Sequence, residues 1–210
     1  NGARIINLSL GTPSDTYTLR SAITYAANKG VLIIAAAGND GGAPCLYPAA
    51  YSSAVCVMAT DSSNQLASFS NIGGEISAPG VSNYSTFVGS SYRYLSGTSM
   101  ATPHISGAAA LLMSICTDCS TSEIRSILRD TAIDLGETGK DILFGYGLVD
   151  LVSAVNFVNP PETEEPPIEE EPTQPEEPNN IEQPSTPEPS PAKETKQEVD
   201  ILNPLPNKGK

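Results

Sequence analysis

Gly97-Thr98-Ser99-Met100-Ala101-Thr102-Pro103-His104 leads directly into a strongly apolar run, Ile105 to Ile115, and constrains this chain more than any other stretch. The apolar run predicts a buried helix, so Ser99 stands at a helix start. The first backbone N–H groups of a helix lack intrahelical partners, and the positive end of the helix dipole points at them. That position favours negative charge on or beside a hydroxyl oxygen. It suits a serine nucleophile that forms an acyl-enzyme next to an oxyanion. Gly-x-Ser alone also describes a plain helix cap. The whole octet is far more restrictive.

A second segment points the same way. Val31-Leu32-Ile33-Ile34-Ala35-Ala36-Ala37-Gly38-Asn39 is an apolar run ending in small residues and an amide. Such runs are buried parallel strands. Asn39 then falls at the carboxyl end of a strand, where open α/β sheets place their sites. Taken alone, Gly38-Asn39-Asp40-Gly41 reads as a turn.

The flanking segments supply the rest of a layered fold. Arg4 to Leu10 reads as a strand. Thr16 to Lys29 reads as an amphipathic helix with Leu19, Ile23, Ala26 and Ala27 on one face, closed by Gly30. The Val31 strand follows at once, giving strand–helix–strand, the crossover of a parallel sheet. Ala54 to Thr60 is a further strand, and Glu75 to Tyr94 breaks into short strands and turns. Ser120-Thr121-Ser122-Glu123 is a capping-box pattern ahead of Ile124, Ile127 and Leu128. A last short helix is expected near Asp150 to Phe157. The fold class is therefore α/β: three layers, a mostly parallel sheet, helices on both faces.

Composition divides the chain in two. Residues 159–210 hold 13 of the 18 Pro and a net charge of −9 out of −13, with no aromatic residue. Such a segment cannot bury enough apolar surface to offset its ordering entropy, so residues 159–210 are expected to be a disordered, extended, self-repelling linker. It would space residues 1–158 from a downstream anchoring or adhesive module, which Val199-Asp200-Ile201-Leu202-Asn203-Pro204-Leu205-Pro206 would begin. No basic patch suggests nucleic acid. No apolar run approaches the ~20 residues of a membrane span.

The four cysteines, Cys45, Cys56, Cys116 and Cys119, allow three pairings. Two local disulfides, Cys45–Cys56 and Cys116–Cys119, are expected and fit an extracellular protein. Cys116-Thr117-Asp118-Cys119 also has zinc-site spacing. Zinc would need two more soft ligands, and the single His lies inside the octet.

The octet resembles the nucleophile segment of the subtilisin-like serine proteases (subtilases), and Val31 to Asn39 resembles their oxyanion-hole strand. The resemblance covers roughly Asn1 to Asn159. It implies that Ser99 is the nucleophile and Asn39 the amide donor of the oxyanion hole, with Thr98 as an auxiliary hydroxyl donor. Ser9-Leu10-Gly11 matches the strand end that pairs with the substrate backbone. Ala36, Ala37 and Gly38 match one wall of the specificity pocket. Leu46 falls at its base and makes it shallower, and Asp40 sits at its rim. No cofactor is needed for the chemistry. Ala49, Tyr51 and Ala54 match a weak calcium site that some members build from backbone carbonyls, so the resemblance implies a structural Ca²⁺ there.

A serine nucleophile needs a base. His104, the single His, lies five residues beyond Ser99, a turn of ~140° and a rise of ~7.5 Å on a helix, so it points away. It reads as a buried helix histidine bonded to backbone. Subtilases order their triad Asp, His, Ser. Both partners are therefore expected upstream of Asn1. The chain is expected to be the carboxyl-terminal part of the catalytic domain of a secreted or cell-surface endopeptidase acting on polypeptides, inactive by itself. An α/β-hydrolase would need a His after its serine elbow, and none follows His104. A non-catalytic pseudoprotease or binding module on an acidic tether is the second reading.

Overall fold

A computed structural model describes residues 2–161. The expectations for the linker and for Val199 to Pro206 lie outside the described residues.

Four parallel strands form the sheet in the order β1-β2-β3-β4: β1 Ile5–Leu8, β2 Leu32–Ala36, β3 Ala54–Thr60 and β4 Ile76–Pro79. Every residue of β2 and β3 is buried, as their unbroken apolar runs require of strands covered on both faces. Alternate residues of β2 serve opposite layers. Ile33 packs with Ile23 and Ala54 beneath α1 (Tyr17–Asn28), joined by Leu19, Ala26 and Ala27. Leu32 and Ile34 face the other way, into a cluster with Val55, Val57, Ile76 and the α2 residues Ala101, Ile105, Ala108, Ala109 and Leu112. That alternation is the period-two geometry of a strand, and it makes the three layers.

Helix α2 (Thr98–Ile115) contacts all four strands. Alanines at 101, 108 and 109 let its axis come close to the sheet. Its coverage is narrower than expected. The stripe through Ala101, Ile105, Ala108, Ala109 and Leu112 is buried, whereas Leu111 and Ile115 are exposed, because one sheet face covers one face of a helix. His104 falls on the outer side. It is exposed rather than buried, though its Nδ1 does meet the backbone, 2.9 Å from the Met100 carbonyl.

Helix α3 (Thr121–Asp130) starts with the expected capping box between Ser120 and Glu123, and α4 (Leu151–Val158) is capped by Asp150. Both pack beside α2. Strands β5 (Asn83–Phe87) and β6 (Ser91–Leu95) form a separate antiparallel hairpin that leads into α2. Cys45–Cys56 and Cys116–Cys119 are both disulfide-bonded, and no cysteine is free. The first ties the β2–β3 connection to β3. The second closes the short turn between α2 and α3.

Candidate active site

The carboxyl ends of β1 and β2 and the amino end of α2 meet at one edge of the sheet. Ser9 follows β1, Asn39 follows β2, and Ser99 is the second residue of α2. Gly97 makes the entry to α2 possible. Its φ of +153° with ψ of 159° is a conformation reserved in practice for glycine, and its N–H is anchored on the Gly80 carbonyl at 2.8 Å.

Asn39 is oriented by Thr98. Asn39 Oδ1 accepts the Thr98 N–H at 2.9 Å and the Thr98 hydroxyl at 3.0 Å. With its oxygen so engaged, the Asn39 amide nitrogen is left as a donor toward the open side. Apart from its chain neighbours, a Cβ built on Gly97 would have Asn39 Nδ2 at 3.6 Å, and Met100 Sδ and Ser99 N at 3.7 Å, as its nearest contacts. Two nitrogens able to donate, Asn39 Nδ2 and Ser99 N, therefore lie about the same point beside Gly97. Ser99 is half-buried, and its hydroxyl donates to the Ser9 carbonyl at 3.1 Å.

Thr98 occupies a different place from the one expected. Its side chain is fully buried, its proton goes to Asn39, and its oxygen accepts the Gly38 N–H at 3.2 Å. In this arrangement the single proton of the hydroxyl is engaged by Asn39. Ala36 and Ala37 are buried, and Ala37 belongs to the core cluster of Cys56 and Met58, so neither side chain is open to solvent. Gly38 has φ +115°, and a Cβ there would run into Asn71 Nδ2 and meet Leu46 Cγ at 2.8 Å. Gly11 is equally close to Leu46, at 2.9 Å from its Cβ. Leu46 is thus wedged between the ends of β1 and β2. Leu10 and Asp40 are exposed beside them.

Asn71 was not singled out by the sequence. It is fully buried and ties the loop after Asn39 together. Its Oδ1 accepts the Asp40 N–H at 2.7 Å, and its Nδ2 donates to the Pro44 carbonyl at 2.9 Å. A lone Asn in Ser70-Asn71-Ile72 carries no spacing signal. Only the fold brings it under Gly38.

Of the three carbonyls matched to a calcium site, those of Ala54 and Tyr51 already accept hydrogen bonds. Ala54 O accepts from Arg125 Nη2 at 3.1 Å, and Tyr51 O accepts the Ala54 N–H at 2.9 Å. Glu75, which lines the same cleft, is paired with the Arg125 guanidinium. The positive charge at this place is already a side chain. Among the described residues, no group of three or more His, Cys, Asp or Glu side chains is arranged to hold a metal. Nor, among them, is any helix long and apolar enough to cross a membrane.

A model of the subtilase family matches residues 1–147. Subtilisin BL of Lederbergia lenta is 48% identical over 156 residues, which are 73% of this chain and 57% of that protein. An alkaline protease of Shouchella clausii is 48% identical over 156 residues, 40% of its length. The minor extracellular protease Epr of Bacillus subtilis (strain 168) is 48% identical over 152 residues, 24% of its length. The chain thus spans from about a quarter to just over half the length of these relatives. The family match over most of the chain, the identities, and the placing of Ser99 and Asn39 at one sheet edge lead to one conclusion: the chain belongs to the subtilase family.

Proposed function

We propose that this chain supplies the nucleophile and oxyanion hole of a subtilisin-like serine endopeptidase. One observation carries the reading. Ser99 N and Asn39 Nδ2 both lie within 3.7 Å of one point beside Gly97 at the start of α2. An acyl carbonyl attacked by Ser99 Oγ would place its oxygen there, and two preorganised donors would stabilise the charge that develops. The hydroxyl proton needs a base, and His104 faces away on the outer side of α2. The base and its orienting carboxylate therefore come from a part of the protein outside this chain. Ser9, Leu10 and Gly11 offer backbone groups at the end of β1 for an extended peptide to pair with. The backbone of Ala36 to Gly38, with Leu46, forms one wall of the pocket for the substrate side chain. Leu46, wedged between Gly11 and Gly38, makes that pocket shallow, and Asp40 at its rim favours a basic residue. Both disulfides and the relatives described as extracellular or as subtilisins support action outside the cell. The composition of segment 159–210, rich in Pro and Glu, supports reading it as a spacer.

Peptide hydrolysis tests the proposal. The full-length protein should cleave a chromogenic peptide amide and lose that activity in Ser99→Ala. The 210-residue chain alone should show no turnover above background. Equal turnover by wild type and Ser99→Ala would end the proposal, as would robust hydrolysis by the purified chain alone.

A further inference from the structure

Ser99 O cannot take the usual helical hydrogen bond. The residue four positions on is Pro103, inside α2, and proline has no N–H to give. A proline here should leave the carbonyl of the nucleophile's own residue bare and loosen the first turn of the helix. The chain meets this from outside the helix. Ser9, just past the end of β1, donates its hydroxyl to Ser99 O at 2.8 Å.

The direction of that hydroxyl is itself fixed. Asn7 Nδ2 donates to Ser9 Oγ at 3.0 Å, so the single Ser9 proton is free to turn toward Ser99. Asn7 is oriented in turn by Ser106, whose hydroxyl donates to Asn7 Oδ1 at 2.9 Å and also lies 3.2 Å from the Thr102 carbonyl. Ser106, Asn7 and Ser9 thus donate head to tail. The relay leaves α2 at Ser106, runs along β1 and returns to α2 at Ser99. The Ser99 hydroxyl closes the loop on the Ser9 carbonyl. Bonds aligned in one direction reinforce one another.

We propose that Ser9, oriented by Asn7 and Ser106, is a positioning residue for the nucleophile: its hydroxyl replaces the hydrogen bond that Pro103 removes. The proposal rests on the reading of Ser99 as nucleophile. The Ser99 N–H and Oγ belong to the turn that this bond holds. If the turn relaxes, both move together relative to Asn39 Nδ2. Misplacing reacting groups by about 1 Å costs on the order of 10² in rate. Loss of one such hydrogen bond, with partial relaxation, should cost about tenfold.

The test is a background swap in the full-length protein, read as the rate of Ser99 labelling by a fluorophosphonate and as kcat and KM on a peptide amide. Ser9→Ala should slow labelling and lower kcat about tenfold with KM little changed, and Ser9→Thr should retain most of the rate. In a Pro103→Ala background the helix regains its own donor to Ser99 O, so Ser9→Ala should there cost less than about threefold. The same factor in both backgrounds would overturn the proposal. Should Pro103→Ala not fold, Asn7→Ala supplies the second arm. Combined with Ser9→Ala it should be no slower than Ser9→Ala alone, and additive losses would overturn the relay. An unlabelled wild type would overturn the nucleophile reading and this proposal together. A labelled wild type with an indifferent Ser9→Ala would overturn this proposal alone.

Discussion

Thr98 presents its backbone N–H and its hydroxyl to a single atom, Asn39 Oδ1, at 2.9 and 3.0 Å. One peptide unit of α2 thereby fixes which way the amide beyond β2 faces. The same hydroxyl accepts the Gly38 N–H, so β2 and α2 are fastened at their site ends.

Thr98→Val keeps the shape and removes the hydroxyl. It leaves the Gly38 N–H without its acceptor and halves the hold on Asn39. The expected result is a slowing of acylation by about tenfold with a lowered thermal midpoint, since an orphaned buried donor costs about 1–3 kcal/mol. Asn39→Leu removes the amide donor itself and should cost about 10²–10³ in kcat, the range known for the equivalent donor of a subtilisin. Rates and calorimetry on the two variants check this. Thr98→Val matching wild type in both would contradict the positioning role.

Most of this site was legible because the residues that matter sit in runs with one structural solution. Ala54 to Thr60 reads as a strand from its short apolar run, and the octet reads as a helix start from the apolar run that follows it. The relationships across the sheet edge were not legible. Asn71 beneath Gly38, Arg125 against Ala54 and Ser106 beside Asn7 are separated by 33, 71 and 99 positions and join only when the layers close. The donor role expected of Thr98 was implied by the family resemblance alone. Which way its hydroxyl proton points depends on Asn39, 59 positions away. The exposed His104 shows the same limit: helix geometry turns it away from Ser99, but what covers that side is decided only when the layers close.

Arg125 joins α3 to two other elements. Its guanidinium donates to Glu75, to Ser52 O at 3.1 Å and to Ala54 O at 3.1 Å. The hydrogen bond that Arg125 donates to the Glu75 carboxylate holds the Arg125 pKa above its usual value against the opposing effect of burial. Arg125→Met removes the partner and leaves Glu75 largely buried. Breaking a fully buried pair costs about 3–5 kcal/mol, and partial solvent access here reduces that to about 2 kcal/mol. Chemical denaturation should show that loss. An unchanged midpoint would mean that the pair is solvated.

Two helix caps make stability depend on acid. The Ser153 hydroxyl and N–H hold the Asp150 carboxyl below its ordinary 3.8, and Ser120 does the same for Glu123 below 4.5. A carboxyl depressed in the folded state stabilises fully above its unfolded pKa and loses that contribution as pH falls through the folded value. The gap in thermal midpoint between wild type and Asp150→Ala or Glu123→Gln should therefore be widest above about pH 5 and narrow toward pH 2.5. A gap that does not change with pH would contradict charged caps.

The disulfides span 11 and 3 positions. In the chain-entropy description, loops of these lengths contribute about 2–3 kcal/mol each. Thiol titration of unfolded, unreduced protein should find none free, and reduction should lower the thermal midpoint. Four reactive thiols in the unreduced protein would contradict both bridges.

The measurement closest to the central assignment is the site of covalent modification. Full-length protein treated with a fluorophosphonate and digested should carry the adduct on the peptide containing Ser99, and on Ser99 itself by fragment-ion mass spectrometry. Ser99→Ala should carry none. An adduct on another residue, or one that persists unchanged in Ser99→Ala, would contradict the assignment of Ser99 as the nucleophile.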